Sequence, residues 1–253
     1  MPLIAALLIV VVIALIAGWL QDRAALRRVD KLRAKAEALG LRFEDEAPQL
    51  QDRLSHFALF GQGERGKVRH AMFGRTEVAL DGQTQTVEMV VFEYTFGIPM
   101  GRYVRSWRQT VVYLSAEQLC LPPFMAVPDQ VFDMIVLNTK GAQARERLLG
   151  VSSIDFRDDP EFRRQVQVQG ADQNAIRSLF TGRVKALWAG EQALCVEGEG
   201  SHLIVYDFDE VVHPQGLEAL IERARDVLQR LLEAQAALGE QRETTSGEGA
   251  PGV

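Results

Sequence analysis

The sequence predicts an α+β protein: an N-terminal transmembrane helix, then one or more antiparallel sheets with helices packed on one side, and a long C-terminal amphipathic helix. Three observations predict this fold class. Residues 3–20 carry no charge, residues 56–116 are rich in strand-type segments, and apolar residues recur at helical spacing from Pro214 to Leu238. Strands and helices that follow each other in blocks are typical of the α+β class.

The uncharged run from Leu3 to Leu20 is long enough to cross a membrane. As a helix it spans about 27 Å, against a hydrocarbon thickness of about 30 Å. Trp19 suits the membrane interface. A cleaved signal peptide is disfavoured because no charge precedes the run, and a buried core helix rarely occupies an extreme terminus. We therefore expect a transmembrane anchor over residues 1–20.

The charges after the run predict its orientation. Residues 21–42 hold seven Lys and Arg against three Asp and Glu, a net of +4, and no charged side chain precedes the run. Basic residues next to a span stay in the cytoplasm. We therefore expect a single-pass protein of the bacterial inner membrane, with its N-terminus outside and its soluble domain in the cytoplasm. The chain has only two cysteines, Cys120 and Cys195, and such a low number agrees with a reducing compartment. A single disulfide between them stays open as an alternative.

The same charges bear on partners. Some of the basic residues after the run are candidates for contact with anionic lipid headgroups, namely Arg23, Arg27, Arg28 and Lys31. The alternative is that they only set topology. The chain from Phe43 onwards has a net charge of −10, which disfavours nucleic acid as a partner.

Residues 21–40 form a predicted basic juxtamembrane helix. Its apolar positions recur at spacings of four and three residues, at Ala25, Val29, Leu32, Ala36 and Leu39, and Gly40 follows as a C-cap. Packing onto the protein's own body is favoured. A coiled coil is the alternative, but two heptads are too few to hold one alone.

The next block predicts antiparallel strands. Gly74 and Asp81-Gly82 suggest turns, and Gly97, Pro99 and Gly101 suggest a break. The Leu121-Pro122-Pro123-Phe124 segment is expected to halt regular structure. The predicted strands are Lys67 to Phe73, Thr76 to Leu80, Val87 to Phe96 and Trp107 to Leu114. Core positions are the default for their aromatic residues Tyr94, Phe96, Tyr103 and Trp107.

The second half predicts shorter elements. Residues 151–156 and 164–168 suggest strands, Asp172 is a predicted N-cap for a helix that extends as far as Trp188, and residues 195–197 and 203–208 suggest a hairpin. Pro214 opens the long helix, and residues 239–253 are expected to be a disordered tail. Residues 41–238 thus form the soluble α+β domain, with a possible sub-boundary near 121–150.

A Gly-x-Gly-x-x-Gly pattern at Gly61, Gly63 and Gly66 matches the dinucleotide-binding fingerprint. The fingerprint requires a following helix whose N-terminus receives the pyrophosphate. Residues 67–73 instead alternate like a strand, and Glu64 inside the pattern would repel phosphate. A glycine-rich hairpin connection is favoured, and no cofactor is predicted.

Histidines and acidic residues give no recognisable site. The spacing of His56, His70, His202 and His213 matches no metal or catalytic motif, and we expect surface or strand histidines. The acidic cluster Asp155, Asp158, Asp159 and Glu161 suits a divalent cation, but it also suits a turn and helix start, which is favoured. No catalytic, cofactor-binding or metal residue is predicted.

One set of short motifs carries a resemblance. The segments are QTVVYL (109–114), LPPF (121–124), Pro128-Asp129, Ile154-Asp155-Phe156, Pro160-Glu161-Phe162 and IRSLF (176–180). Their order over residues 40–235 resembles a family of uncharacterised bacterial proteins with one N-terminal span and a C-terminal soluble domain. The resemblance implies an inner-membrane location and a shared fold. It implies no activity, because none is assigned to that family.

These features together favour a membrane-anchored, non-enzymatic domain that binds a protein partner or acts as a scaffold. The alternative is a membrane-tethered hydrolase whose site combines the acidic turn at 155–161 with a histidine. A deep pocket that gathers those carboxylates and a histidine would support the enzyme. An apolar or flat exposed surface would support the binding protein.

Overall fold

The computed structural model describes residues 19, 23, 26–80, 82–100, 102–132, 152–190 and 193–247. Within those ranges, no helix is both long and apolar enough to cross a membrane. The predicted anchor over residues 1–20 lies outside the described residues, except for Trp19.

An antiparallel sheet forms the centre of the protein, in agreement with the predicted α+β class. Its nine described strands have the order β1-β2-β3-β4-β9-β8-β5-β7-β6, and every pairing is antiparallel. The strands are β1 (Arg42–Glu46), β2 (Glu64–Leu80), β3 (Gln83–Met100), β4 (Tyr103–Ser115), β5 (Leu121–Pro128), β6 (Ser152–Ser153), β7 (Val166–Gly170), β8 (Leu194–Gly200) and β9 (His202–Asp207).

Besides a helical stretch at residues 129–132, six α-helices accompany the sheet in the described ranges. They are α1 (26–38), α2 (Pro48–Arg53), α3 (Pro160–Gln165), α4 (Gln173–Leu179), α5 (Gly182–Lys185) and α6 (Leu217–Gly247). Short 3-10 helices lie at Ala58–Gly61, Ala186–Trp188 and Pro214–Gly216.

One face of the sheet carries the larger core. Helices α1, α3, α4, α5 and α6 bury their apolar residues there against alternate residues of the strands. The predicted apolar face of α6 is confirmed, since its members are all at most 8% exposed: Leu217, Leu220, Ile221, Ala224, Val227, Leu228, Leu231 and Leu232.

The opposite face carries a second core under residues 47–61. Leu50, Leu54, Phe57 and Leu59 pack there on the intervening strand residues. The prediction that helices lie on one side only is therefore wrong for α2. This helix is hard to predict from local pattern, because its six residues are too few to show a helical period.

Helix α1 is part of the larger core. Leu32 and Ala36 are buried, and Gly40 ends the helix with a φ of +68°, which a glycine adopts without strain. Polar contacts add to this docking: Lys35 Nζ lies 2.7 Å from Glu218 of α6. The prediction that this helix packs on the protein's own body is confirmed.

Two predicted breaks lie inside strands. Gly74 belongs to β2, where a Cβ would lie 2.2 Å from Leu41 Cδ2, so it provides room for a core side chain rather than a turn. β3 continues through Gly97 and Pro99 to Met100. Pro99 lies beyond the last β2 partner, which is opposite Gly97, so its missing N–H costs no bond to β2.

The prediction that the Leu121-Pro122-Pro123-Phe124 segment halts regular structure is wrong, because the segment begins β5. The pairing of β5 with β8 shifts register between Leu121 and Phe124, and pairing with β7 begins at Phe124. Both prolines therefore lie in an irregularity of the ladder, where a strand tolerates them.

The second half follows the predictions in part. Asp172 caps α4 through a bond from the Ala175 amide, as predicted, but Thr181 caps a separate α5, so one helix does not reach Trp188. The β8–β9 hairpin is confirmed. Over the described residues 152–156, regular strand structure is limited to Ser152–Ser153. Helix α6 continues to Gly247, into the segment predicted to be a disordered tail.

Candidate functional site

A cleft of about 470 Å³ opens on the second face of the sheet. One side is the segment of residues 55–61, here called the cleft wall, and the other side is formed by β5, β7 and β8. Apolar side chains dominate its lining, among them Phe57, Phe124 and Met125, and the polar groups of Gln169 and Glu197 also border it. An apolar cleft with few polar groups is typical of binding sites.

Glu197 is a buried carboxylate at this cleft, only 2% exposed. It lies on β8 and accepts hydrogen bonds from the amides of Ala58 (2.6 Å) and Leu59 (3.2 Å) and from the Tyr206 hydroxyl (2.9 Å). Burial raises its pKa to about 7, although the three donors act in the opposite direction. Both oxygens are therefore occupied in fixing the cleft wall to β8.

Polar contacts continue from the cleft towards α2. His56 borders the cleft, and its ring centroid lies 5.7 Å from that of His202. Tyr113 accepts a 2.8 Å hydrogen bond from Arg53, which leaves its hydroxyl free to donate to His202 Nδ1, also at 2.8 Å. Burial, followed by the charges of His56 and Arg53, lowers the pKa of His202. A neutral His202 therefore accepts this bond at neutral pH.

A second buried carboxylate, Glu93, lies on the face that carries α1. It accepts hydrogen bonds from Arg28 of α1 and from His70, whose Nδ1 lies 3.1 Å away. Burial alone would raise the pKa of Glu93, but the bonds from His70 and Arg28 outweigh it and lower the pKa. His70 has a φ of +50° at a register shift between β2 and β3. The irregular backbone of β2 thus occurs at the residue whose side chain contacts Glu93.

The expectation that the glycine pattern connects two strands of a hairpin is wrong. The pattern joins a 3-10 helix to β2. A strand follows it, so the helix N-terminus that the dinucleotide fingerprint needs is replaced by extended backbone. Gly63 has a φ of +60°, and a Cβ there would lie 2.6 Å from the Gly97 carbonyl oxygen. A Cβ at Gly66 would lie 2.4 Å from the Tyr94 hydroxyl. The glycines allow close packing of β2 on β3.

The acidic cluster forms a turn and a helix start, as predicted. Asp159 caps α3 by accepting from the Phe162 amide at 3.1 Å. Its carboxylate and that of Asp158 lie 3.1 and 3.6 Å from Lys185. Asp155 pairs with Arg157 at 2.6 Å and with Arg163 at 3.3 Å. These carboxylates are thus paired with basic side chains.

Apart from the neighbouring rings of His56 and His202, the histidines occupy separate places. His70 lies in β2, His202 begins β9, His56 lies at the cleft, and His213 Nδ1 accepts from the Gln215 amide at 3.4 Å. Over the ranges that the structure describes, no three His, Cys, Asp or Glu side chains gather in a way suited to a metal ion.

Cys120 is exposed and Cys195 is buried, and both are free thiols. Burial raises the pKa of the Cys195 thiol well above its usual range, and this side chain packs as a small apolar group of the core. The aromatic residues Tyr94, Phe96 and Trp107 are also buried as predicted, whereas Tyr103 is 64% exposed.

Sequence reasoning missed Glu93 and Glu197 as buried carboxylates. Each stands on a strand at a position that alternation assigns to a buried face: Glu93 follows Val91 by two residues, and Glu197 follows Cys195 by two. A charged residue at an inward position of an apolar strand is the signal that points to such groups.

No family model and no curated protein matches the chain. A solved structure, the crystal structure of the mycobacterial trehalose monomycolate transport factor A, TtfA, is similar in fold. The TM-score is 0.52 at 12% sequence identity, over 82% of this chain and 95% of TtfA. At this identity the likeness shows a shared fold.

Proposed function

We propose that this chain is a single-span protein of the bacterial inner membrane whose α+β domain lies in the cytoplasm and binds a protein partner rather than catalysing a reaction. The docking of α1 carries this proposal. The helix is described from residue 26, soon after the uncharged run ends at Leu20, and it buries Leu32 and Ala36 in the domain core. A docked helix this close in sequence to the proposed span would hold the domain at the membrane surface.

The cleft is the proposed partner site. Its apolar lining suits an apolar segment of another protein. Glu197 is engaged by two backbone amides and by Tyr206, which supports a positioning role over acid–base chemistry. The name of TtfA describes a transport factor. By analogy of fold alone, this supports an accessory role in transport at the membrane.

The alternative hydrolase receives less support. Its acidic residues Asp155, Asp158 and Asp159 have Arg157, Arg163 and Lys185 as their ion-pair partners. The described contacts of His56 and His202 are instead with each other and with Phe57 and Tyr113.

The exposed thiol of Cys120 provides a direct test of topology in the full-length protein. In intact spheroplasts, a membrane-impermeant maleimide is expected to leave Cys120 unlabelled and to label it after lysis. Cys120→Ser controls for labelling of Cys195. Labelling of Cys120 before lysis would overturn the orientation. Reversal of Arg23, Arg27 and Lys31 to Glu is expected to expose Cys120, because it removes basic residues next to the span.

The cleft is tested by photocrosslinking from Ser55, which borders it, in cells that express the full-length protein. We expect a discrete adduct with one protein that disappears in Ala171→Trp, since Ala171 is exposed at the cleft and a large ring there closes it. Ala171→Ser is the matched control and keeps the adduct. A pattern that Ala171→Trp leaves unchanged would place the partner elsewhere.

A further inference from the structure

Exposed apolar side chains concentrate in two places. Among the residues that the structure describes, four large apolar side chains are more than half exposed: Trp19 (53%), Leu26 (66%), Tyr103 (64%) and Val104 (56%). The first two lie before and at the start of α1. The other two begin β4 and belong to residues 102–105, here called the hairpin tip, where β3 turns into β4.

Helix α1 points along β3 towards the hairpin tip. Near its start, α1 contacts β3 at Glu93 through Arg28. Just after its end, Leu41 packs at Gly74, whose β3 partner is Met89. Followed from its C-terminal end to its N-terminal end, α1 therefore runs along β3 towards the hairpin tip. The hairpin tip lies at the end of β3 towards which α1 points, and the β2–β3 turn lies at the other end.

The charge of the hairpin differs from that of the rest of the domain. Residues 94–116 contain Arg102, Arg105 and Arg108 and neither Asp nor Glu, whereas the chain from Phe43 has a net charge of −10. Arg105 stacks over the Trp107 ring, 4.0 Å from its centroid. Basic residues beside exposed aromatic and aliphatic groups are typical of surfaces that bind anionic membranes.

We propose that the hairpin tip, at the end of β3 towards which the N-terminal end of α1 points, inserts into the headgroup region of an anionic membrane leaflet. The inference rests on the proposed single-span anchoring and adds a second attachment point to it. Tyr103 and Val104 enter the interface, while Arg102 and Arg105 pair with lipid phosphates. Together with the proposed span, this attachment fixes the tilt of the domain, so that the strands point away from the bilayer.

Fluorescence of a label at the tip tests this. Full-length Tyr103→Cys in a Cys120→Ser background, labelled with an environment-sensitive fluorophore, is reconstituted into vesicles of phosphatidylcholine with or without phosphatidylglycerol. In vesicles that contain phosphatidylglycerol, we expect the emission of the label to shift to the blue and to be quenched by doxyl-labelled lipid. Gln83→Cys, exposed at the opposite end of β3, is the matched control and is expected to show neither effect. In the tip-labelled protein, the double variant Arg102→Glu, Arg105→Glu is expected to abolish the shift. The double variant Arg75→Glu, Arg177→Glu makes the same change in net charge away from the tip and is expected to keep the shift.

The outcomes separate this inference from the proposed anchoring. If the protein floats with the vesicles while the label at position 103 stays in a water-like environment, the tip insertion is wrong and the anchoring stands. If the protein does not float, the anchoring fails and the tip insertion fails with it. A shift at position 103 that is the same without lipid indicates a protein contact and also overturns the proposal.

Discussion

The backbone amide of Ala58 donates a 2.6 Å hydrogen bond to the carboxylate of Glu197, which lies 139 residues further along the chain. The amide of Leu59 and the hydroxyl of Tyr206 also donate to this carboxylate. A single buried side chain thereby joins the cleft wall to β8, and the geometry of the cleft depends on it.

Glu197→Gln is expected to flatten the dependence of stability on pH. The pKa of Glu197 is about 7 in the folded protein against an ordinary value of 4.5, so the folded state binds this proton more tightly than the unfolded state. Its contribution is present below pH 4.5 and is lost as pH rises through 7. The loss is on the order of 3 kcal/mol. Urea unfolding of the full-length protein in mild detergent across this range measures it.

Glu199→Gln is the matched control, because it makes the same chemical change on a half-buried side chain of the same strand. It is expected to leave the pH dependence of the wild type in place. Equal slopes for the wild type and Glu197→Gln would show that Glu197 does not titrate in this window.

The Arg28–Glu93 ion pair is expected to couple α1 to the sheet. A double-mutant cycle with Arg28→Met and Glu93→Gln should give a coupling free energy of about 2 kcal/mol, because the Glu93 side chain is only 5% exposed. The same cycle on Arg33 and Asp45, both more than half exposed, should give less than about 1 kcal/mol. Similar values for both pairs would contradict a special role for Glu93.

The pH dependence of Glu93 has the opposite sign to that of Glu197. Its pKa is lowered in the folded protein, so its contribution is present above its ordinary value of 4.5 and is lost as pH falls through the folded pKa. The free energy of unfolding of Glu93→Gln should therefore approach that of the wild type at acid pH. A constant difference between the two proteins over the acid range would argue against this.

Gly63→Ala is expected to destabilise the protein more than Gly82→Ala. Both glycines have positive φ angles, but a Cβ at Gly63 meets the Gly97 carbonyl and a Cβ at Gly82 meets open space. The difference between the two variants in thermal melting isolates the steric contact.

Calorimetry with NAD and ATP is expected to show no saturable binding. Micromolar binding that Gly63→Val abolishes would show that the glycines hold a cofactor.

Leu228→Asp is expected to cost several kcal/mol, because it places a carboxylate at a fully buried position of α6. Ala237→Asp adds the same group at an exposed position of the same helix and is expected to change stability little. Circular dichroism melts of both variants measure the difference. An unchanged melting temperature in Leu228→Asp would mean that α6 is not docked in solution.

Local patterns predicted α6 and the β8–β9 hairpin well, because periodicity and turn residues lie within the element itself. Glycine and proline misled in the strands. Gly74 makes room for Leu41, and Pro99 lies where β3 has lost its neighbour β2. Whether such a residue ends a strand depends on what lies beside it in the sheet, and that partner is distant in sequence.

The two buried carboxylates could not be assigned partners from sequence for the same reason. Arg28 lies 65 residues from Glu93, and Ala58 lies 139 residues from Glu197. Their inward positions were visible from strand alternation, whereas the groups that satisfy them come from separate elements. Stretches that look apolar apart from one acid thus mark where distant parts of the chain meet.

The docking of α1 against α6 also orders events during synthesis. Lys35 is synthesised 183 residues before Glu218, its partner in α6. Helix α1 therefore has no complete core to join until α6 has been synthesised. The proposed targeting of the uncharged run would take place while the domain is still unfolded, and the core would close afterwards.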